Sequence, residues 1–328
     1  MSTEVIMNLK EQVKEALTVI EKRTVKNVFF VSCGGSFALM YMSKYVVDRE
    51  AKIIDAHIYS SNEFLHRNHS KLGNDSIVIL CSHSGKTPET VEAAKLAQAK
   101  GALTISLTNI IESPLAETAE IALKYEFGKE AGFTSSHSIL YQITFAILKA
   151  VENNDKFEAI IKSLEQLQSV YDKALKYSEP KAKLFAELHK DEKVIYSMAS
   201  GSNYGAAYSF AICSLMEQQW IHSNAIHAGE YFHGPFEILD ESVPFVILLG
   251  LDETRPLEER ALAFTKQYGR KITVLDAKEY DLAGINEEVK GYITPLVLNH
   301  VVRYYAEKLS IERNHPLHTR RYMGIVKY

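Results

Sequence analysis

Ser82, His83, Ser84 and Thr87 stand together in the stretch CSHSGKTPET, directly behind the apolar run SIVIL. Three hydroxyls and an imidazole at the exit of a buried strand are neutral donors suited to an anion. Thr87 is a natural N-cap and Pro88 fits the first helical position, so the hydroxyls gather where a helix leaves its first N–H groups unpaired. Such a helix end favours an anion by roughly 0.3–1 kcal/mol, up to about 2 when partly buried. Each hydrogen bond to a charged acceptor adds roughly 1.5–3 kcal/mol. Several uncharged donors can therefore hold a phosphate monoester without an arginine clamp. Gly85-Lys86-Thr87 imitates the end of a nucleotide-binding P-loop, but that motif needs a second glycine where Leu80 sits inside the strand. The spacing rejects a P-loop.

Serine and threonine in a turn also cap backbone groups and do nothing else. A second turn, Cys33-Gly34-Gly35-Ser36 behind the strand NVFFVS, favours the phosphate reading. Gly35 there lets the backbone approach a ligand closely, with Ser36 as a further donor. Proton-transfer candidates lie far along the chain. Glu217 follows YGAAYSFAICSLM, a helix-forming stretch with no ionisable group other than tyrosine and cysteine between Gly205 and Met216. Steps of one helical turn place Glu217 on a face with Cys213, Phe210 and Ala206. Loss of water on such a face raises a carboxyl's pKa toward the range of a general base. The same glutamate, with Gln218 and Gln219 behind it, also fits a helix end emerging into solvent. His233 precedes Gly-Pro in IHAGEYFHGPFEI, where a loop can hold an imidazole for proton exchange near neutral pH.

The elements that must position these groups alternate strand and helix. NVFFVS, KIIDAHIY, SIVILCS and ALTISLT read as strands, and PETVEAAKLAQAKG reads as a helix closed by its glycine. This alternation predicts parallel sheets covered by helices on both faces. The pattern then repeats. KVIYSMASGSNYGAAYSF lies on NVFFVSCGGSFALMYMSK at 193 − 27 = 166 residues, pairing Gly35 with Gly201 and Ser36 with Ser202. VPFVILLGLDETRPLEERAL echoes IVILCSHSGKTPETVEAAKL, with Thr254 facing Thr87 at 254 − 87 = 167. In the second copy Leu249-Gly250-Leu251-Asp252 replaces the hydroxyl-rich turn, and an acid there opposes anion binding. The expected organisation is an N-terminal helix (1–24), a first α/β domain (25–152) that binds phosphate, a helical connection (153–190), a second α/β domain (191–310) that carries Glu217 and His233, and a tail (311–328) returning to the active site.

Composition excludes several classes. With 37 basic and 41 acidic residues in 328, the net charge of −4 does not favour nucleic acid or an anionic membrane surface as partner. Twelve histidines lack metal-ligand spacing; Pro316 separates His315 from His318. Neither a metal nor an organic cofactor is expected. Three cysteines, Cys33, Cys81 and Cys213, make a disulfide framework improbable and point to a reducing compartment. Without a signal-like or membrane-spanning run, the chain is expected to be cytoplasmic.

Cys33–Ser36, Ser82–Thr87, Glu217 and His233 together resemble the paired SIS (sugar isomerase) domains in the isomerase half of glucosamine-6-phosphate synthase. The separation 233 − 217 = 16 matches that family. The resemblance spans essentially the whole chain. HAGEYFHGPFEI, VPFVILLGLDETRPLEERAL and HPLHTRRYMGIVKY look more closely like the fructosamine-6-phosphate deglycases, the fructoselysine 6-phosphate deglycase group. It implies two tandem SIS domains, each a three-layer αβα unit with a mostly parallel, flavodoxin-like sheet. It also implies a hydrolase acting on C–N bonds, which converts Amadori products to glucose 6-phosphate and a free amine. By the same resemblance Gly35, Ser36, Ser82, His83, Ser84 and Thr87 hold the phosphate, and Glu217 and His233 exchange protons. Ser135, Arg321 and Tyr322 are candidates for further substrate contacts, and Asp252, Glu253, the Arg320–Arg321 pair and Tyr231 are candidates for the amine half. A homodimer or larger homo-oligomer with shared sites is implied. Arg320-Arg321-Tyr322 stands opposite the active-site lysine of the synthase, an argument against ammonia-dependent synthesis. The alternatives are an amino-sugar-phosphate isomerase or deaminase of the same family, and a non-catalytic sugar-phosphate sensor.

Overall fold

The computed structural model describes residues 3–327, which divide into two compact units. The first comprises Met1–Gln168 with Gly284–Val289. In chain order its elements are α1 (Thr3–Ile20), β1 (Asn27–Ser32), α2 (Gly34–Glu50), β2 (Asp55–Ser60), α3 (Ser61–Arg67), β3 (Ser76–Cys81), α4 (Pro88–Ala99), β4 (Leu103–Thr108), α5 (Pro114–Thr118), β5 (Ile121–Lys124), α6 (Ser136–Glu152) and α7 (Phe157–Glu165). Every residue of β1, β3 and β4 is buried, as parallel strands covered on both faces must be; β1 and β3 are built mostly from apolar residues, while β4 buries Thr104, Ser106 and Thr108 beside its leucines and isoleucine. Phe29, Val31, Val78 and Leu80 pack on one face against Phe64, Val91, Ala94 and Leu115 from α3, α4 and α5. Val28, Phe30, Ile77 and Ile79 alternate with them and are fully buried on the other face.

The five strands are parallel in the order β2-β1-β3-β4-β5. Chain direction across the sheet therefore reverses between β1 and β3, where open α/β sheets place their ligands. Ser32 is registered opposite Cys81, so the turns that follow these two strands rise side by side. The short edge strand β5 was missed by the sequence reading. Ile-Ala-Leu-Lys is too brief to carry a period of its own.

The second unit comprises Ser169–Ala283 with Lys290–Tyr328. It takes most of α8 (Leu167–His189), then β6 (Tyr196–Ala199), α9 (Tyr204–Tyr208), a π-helix over Ser209–Gln218, β7 (Ala225–His227), β8 (Phe245–Leu249), α10 (Arg255–Tyr268), β9 (Ile272–Asp276) and α11 (Lys290–Glu312). The sheet is again parallel, in the order β7-β6-β8-β9, and repeats the first four strands of the other unit. Phe185 of α8 packs on Phe210 of the π-helix and on Tyr305 of α11. The left-handed glycines of the two first turns are Gly34 (φ 57°) and Gly201 (φ 50°), so the repeat registers at 201 − 34 = 167. This corrects by one residue the pairing laid out from sequence, because the conformational demand falls on Gly34 rather than Gly35. No helix among the described residues is long and apolar enough to cross a membrane.

One contact in this unit sets an acid limit on stability. His300 stacks on Tyr171, ring centroids 4.0 Å apart and interplanar angle 5°, and burial, helped by the charge of Arg303, lowers its pKa to about 4. The folded value lies below the unfolded 6.5, so the contribution is complete above pH 6.5 and is lost as pH falls toward 4. The expected loss is roughly 2–3 kcal/mol after allowance for partial exposure. Thermal melting at pH 7.5 and 4.5 checks it. His300→Phe, which keeps the stack and cannot titrate, should narrow the difference in melting temperature between the two conditions.

Candidate active site

In the first unit the hydroxyls expected to bind phosphate are not consumed by helix capping. Thr87 is the N-cap residue of α4 and Pro88 its first residue, yet the Thr87 side chain caps no backbone N–H. Its Oγ1 lies instead 2.9 Å from Ser82 Oγ. Cys33 at the N-cap of α2 likewise makes no side-chain cap. Two helix N-termini thus stand at adjacent strand ends, each with N–H groups that no capping side chain satisfies. Ser84 Oγ accepts from Lys86 N at 3.2 Å, tightening a turn in which Gly85 takes φ 64°. Only glycine fits there, since a Cβ would lie 2.0 Å from Ser113 Oγ.

A neutral hydrogen-bond chain underlies both turns. Ser36 bonds the buried Cys81 thiol, Cys81 bonds Tyr125, and the Tyr125 hydroxyl is 3.0 Å from His83 Nδ1. Burial pushes Cys81 up to about 12 against those two hydrogen bonds, so it stays a thiol at neutral pH, and burial raises Tyr125 as well. The sequence reading included Ser36 and His83 but not Cys81 or Tyr125. Tyr125 directly follows β5, the strand that the sequence concealed.

The second unit fills the corresponding turn with its own acid. Asp252 is buried; its Oδ2 accepts from Ser202 N at 3.2 Å and from Ser202 Oγ, and its Oδ1 from Thr254 N at 2.9 Å and Thr254 Oγ1 at 2.6 Å. Beneath it Glu258, wholly buried, accepts from Ser200 N at 3.0 Å and Gly250 N at 2.7 Å, joining the ends of β6 and β8. Burial raises Glu258 to about 7 against those bonds. Asp252 is therefore internal structure rather than an amine contact.

Glu217 lies at the end of the π-helix. Ala206 and Phe210 are in the core, while the wider i→i+5 winding leaves Cys213 and Glu217 partly open, Glu217 with 24% of its side chain exposed. A face counted in steps of one α-turn thus holds for its first half only. Glu217 opens into a cleft of about 720 Å³, with apolar walls from Met216 and Ile221 and with Trp220, Arg320, Arg321 and Tyr322 around it. Arg320 Nη2 is 2.7 Å from Glu217 Oε1. Burial raises the Glu217 pKa, opposed by the charge and hydrogen bond of Arg320, and the net direction is upward. The Arg321 guanidinium lies over the Trp220 ring at 4.2 Å. The tail that brings both arginines is held by Gln219 Nε2 donating to His315 O at 2.8 Å and by the Trp220–His315 edge contact at 4.5 Å.

His233 does not line this cleft; it is exposed on a loop of the same unit. Tyr231 anchors that loop, fully buried among Phe232, Phe236, Phe245 and Phe264, which removes it as an amine contact. His233 N donates to Glu230 O at 2.9 Å, and Gly234 turns the chain at φ 130°. In the first unit Ser135 caps α6: its Oγ accepts from Ser138 N at 3.3 Å and donates to Gly132 O at 2.9 Å. Ser135, unlike Thr87, has its hydroxyl engaged by the backbone. Among the described residues no three His, Cys, Asp or Glu side chains are grouped to hold a metal ion.

Comparison with known proteins adds four findings to this geometry. The model of the SIS domain matches residues 23–149. The chain is 60% identical over 321 residues to fructosamine deglycase FrlB of Bacillus subtilis (strain 168), covering 98% of each. It is 30% identical over 308 residues to fructoselysine 6-phosphate deglycase of Escherichia coli (strain K12), covering 94% of this chain and 88% of the relative. A crystal structure from Bacillus subtilis, provisionally assigned as a phosphosugar isomerase, superposes with a TM-score of 0.96 at 60% identity over 97% of each chain.

Proposed function

The chain belongs to the SIS-domain family of fructosamine 6-phosphate deglycases, and on that premise we propose how its residues share the reaction. The substrate is a sugar phosphate, a 1-amino-1-deoxy-2-ketose esterified at O6, and the products are glucose 6-phosphate and the free amine. Ser36, Ser82, Ser84 and Thr87, with the Gly35 backbone and His83, hold the phosphate and so orient the carbon chain. Glu217 takes the proton from C1, and the electron pair moves onto C2–O2 to give an enaminol. Protonation at C2 gives the aldose imine. Water adds to C1 of that imine, and the C1–N bond breaks with proton transfer to nitrogen. The sum is one water consumed, with no net oxidation or reduction. His233, in its own chain or a partner's, acts as general acid during ring opening and at the sugar oxygens.

The observation that carries this assignment is Glu217 itself: a carboxyl made more basic by burial, opening into a cleft large enough for an organic ligand. The test is incubation with fructoselysine 6-phosphate and, separately, with glucosamine 6-phosphate. Release of glucose 6-phosphate with lysine from the first is the expected result. Product from glucosamine 6-phosphate alone would replace the deglycase with an amino-sugar deaminase. Two subunits sharing their sites is the expected assembly; a fully active monomer on gel filtration would contradict it.

Arg320 supplies a prediction of its own. Its charge and hydrogen bond hold the Glu217 pKa down while burial pushes it up. Arg320→Met removes the first influence and leaves the second. The base then requires higher pH to ionise, so the acid limb of kcat/KM should move to higher pH. Arg320→Lys should move it less. An acid limb unchanged in Arg320→Met would separate this ion pair from catalysis.

A further inference from the structure

We propose that Tyr125 is a positioning residue for the phosphate site, its buried hydroxyl holding His83 directly and Ser36 by way of Cys81. The inference rests on the phosphate reading of the two first-unit turns and adds the residues that fix their mutual geometry. Ser36 and His83 come from different crossovers: Ser36 stands in the first turn of α2 behind β1, and His83 follows β3. Strand register brings the two strand ends side by side. It does not set where the side chains beyond them point. Two buried residues do that. Cys81, the last residue of β3, hydrogen-bonds Ser36 on one side and Tyr125 on the other. The Tyr125 hydroxyl in turn lies 3.0 Å from His83 Nδ1. One phenol oxygen is thus the node shared by both turns.

That node is rigidly mounted. Tyr125 is only 4% exposed, and its backbone is tied twice to the end of β4. Its N donates to Thr108 O at 3.0 Å, and its carbonyl accepts from Asn109 Nδ2 at 2.9 Å. The His83 carbonyl is tied to the same two residues, accepting from Asn109 N at 3.2 Å and from Thr108 Oγ1 at 3.3 Å. Thr108 and Asn109 therefore form a common base under both residues, and the hydroxyl–imidazole contact orients the ring above it. A buried tyrosine hydroxyl has to find partners, and it can donate one hydrogen bond and accept two. Here it spends that capacity on a thiol and an imidazole of the ligand turns. Packing alone would need only phenylalanine. Donors to a ligand act well when held within about 0.5 Å of their productive positions, so loosening this node should weaken binding before it touches chemistry.

The experiment measures turnover of fructoselysine 6-phosphate and calorimetric binding of fructose 6-phosphate in Tyr125→Phe, which keeps the ring packed beside His83. KM and the Kd of fructose 6-phosphate should each rise about tenfold, with kcat within about twofold of wild type. In a Ser36→Ala, His83→Ala background the same substitution should cost less than about twofold, because the side chains it positions are gone. In a Ser84→Ala background, which leaves the chain intact, it should still cost about tenfold. Cys81→Ala breaks the chain at its other inner member and should raise KM in the same sense; it carries the test should Tyr125→Phe fail to fold. KM unchanged in either folded variant, or an equal rise in the Ser36→Ala, His83→Ala background, overturns the positioning role while leaving the phosphate reading standing. KM unchanged in the Ser36→Ala, His83→Ala protein itself overturns the phosphate reading and this inference with it.

Discussion

Glu217→Gln should reduce kcat by about two to four orders of magnitude, the ordinary worth of a positioned general base, while the protein still binds a phosphosugar. Glutamine keeps the shape of the side chain and can still meet Arg320, so the fold is not at risk. What disappears is the acceptor for the C1 proton. Single-turnover assay of glucose 6-phosphate release, with calorimetric titration of fructose 6-phosphate, separates the two quantities. A rate within a few-fold of wild type would remove Glu217 from the scheme. The wild-type pH profile gives a second check. Burial raises this carboxyl, so the fall in activity on the acid side should be displaced upward from that of an ordinary exposed carboxylate.

The paired substitution Ser82→Ala with Thr87→Ala should act on binding instead. The two hydroxyls are 2.9 Å apart, and neither is needed to cap α4. Each can donate to a phosphate oxygen, and loss of one such bond corresponds to about a tenfold to hundredfold rise in KM. The two effects should be less than additive, because the groups share one ligand and touch each other. A fall in kcat with KM unchanged would mean that the hydroxyls do something other than anchor the ester.

The first-unit turn was legible from sequence because its signal is local. Pro88 after Thr87, the glycine in the turn and the apolar run before them are neighbours in the chain, and they act as neighbours in the fold. Repetition made the second sheet legible too; the edge strands β5 of the first sheet and β7 of the second are too brief to leave a period to read. Glu217 could be picked out as an acid behind an apolar helix, but its surroundings could not be assigned. The π-helix that turns it partly outward has no marker in SFAICSLMEQ. The Arg320 contact joins residues 320 − 217 = 103 apart. Tyr231 misled in the opposite sense: an aromatic beside a candidate catalytic loop looks like a ligand contact, whereas here it is the buried anchor of that loop.

Asp252 has a consequence for how many ligands a duplicated chain can carry. With both its oxygens taken by Ser202 and Thr254, the second repeat comes with its own tethered acid. An arriving ester would have to compete with a group whose effective concentration no solute can match. The stoichiometry in a calorimeter should therefore be one phosphosugar per polypeptide, in spite of two copies of the scaffold. An acid in one turn thus leaves that half of the molecule to a different task.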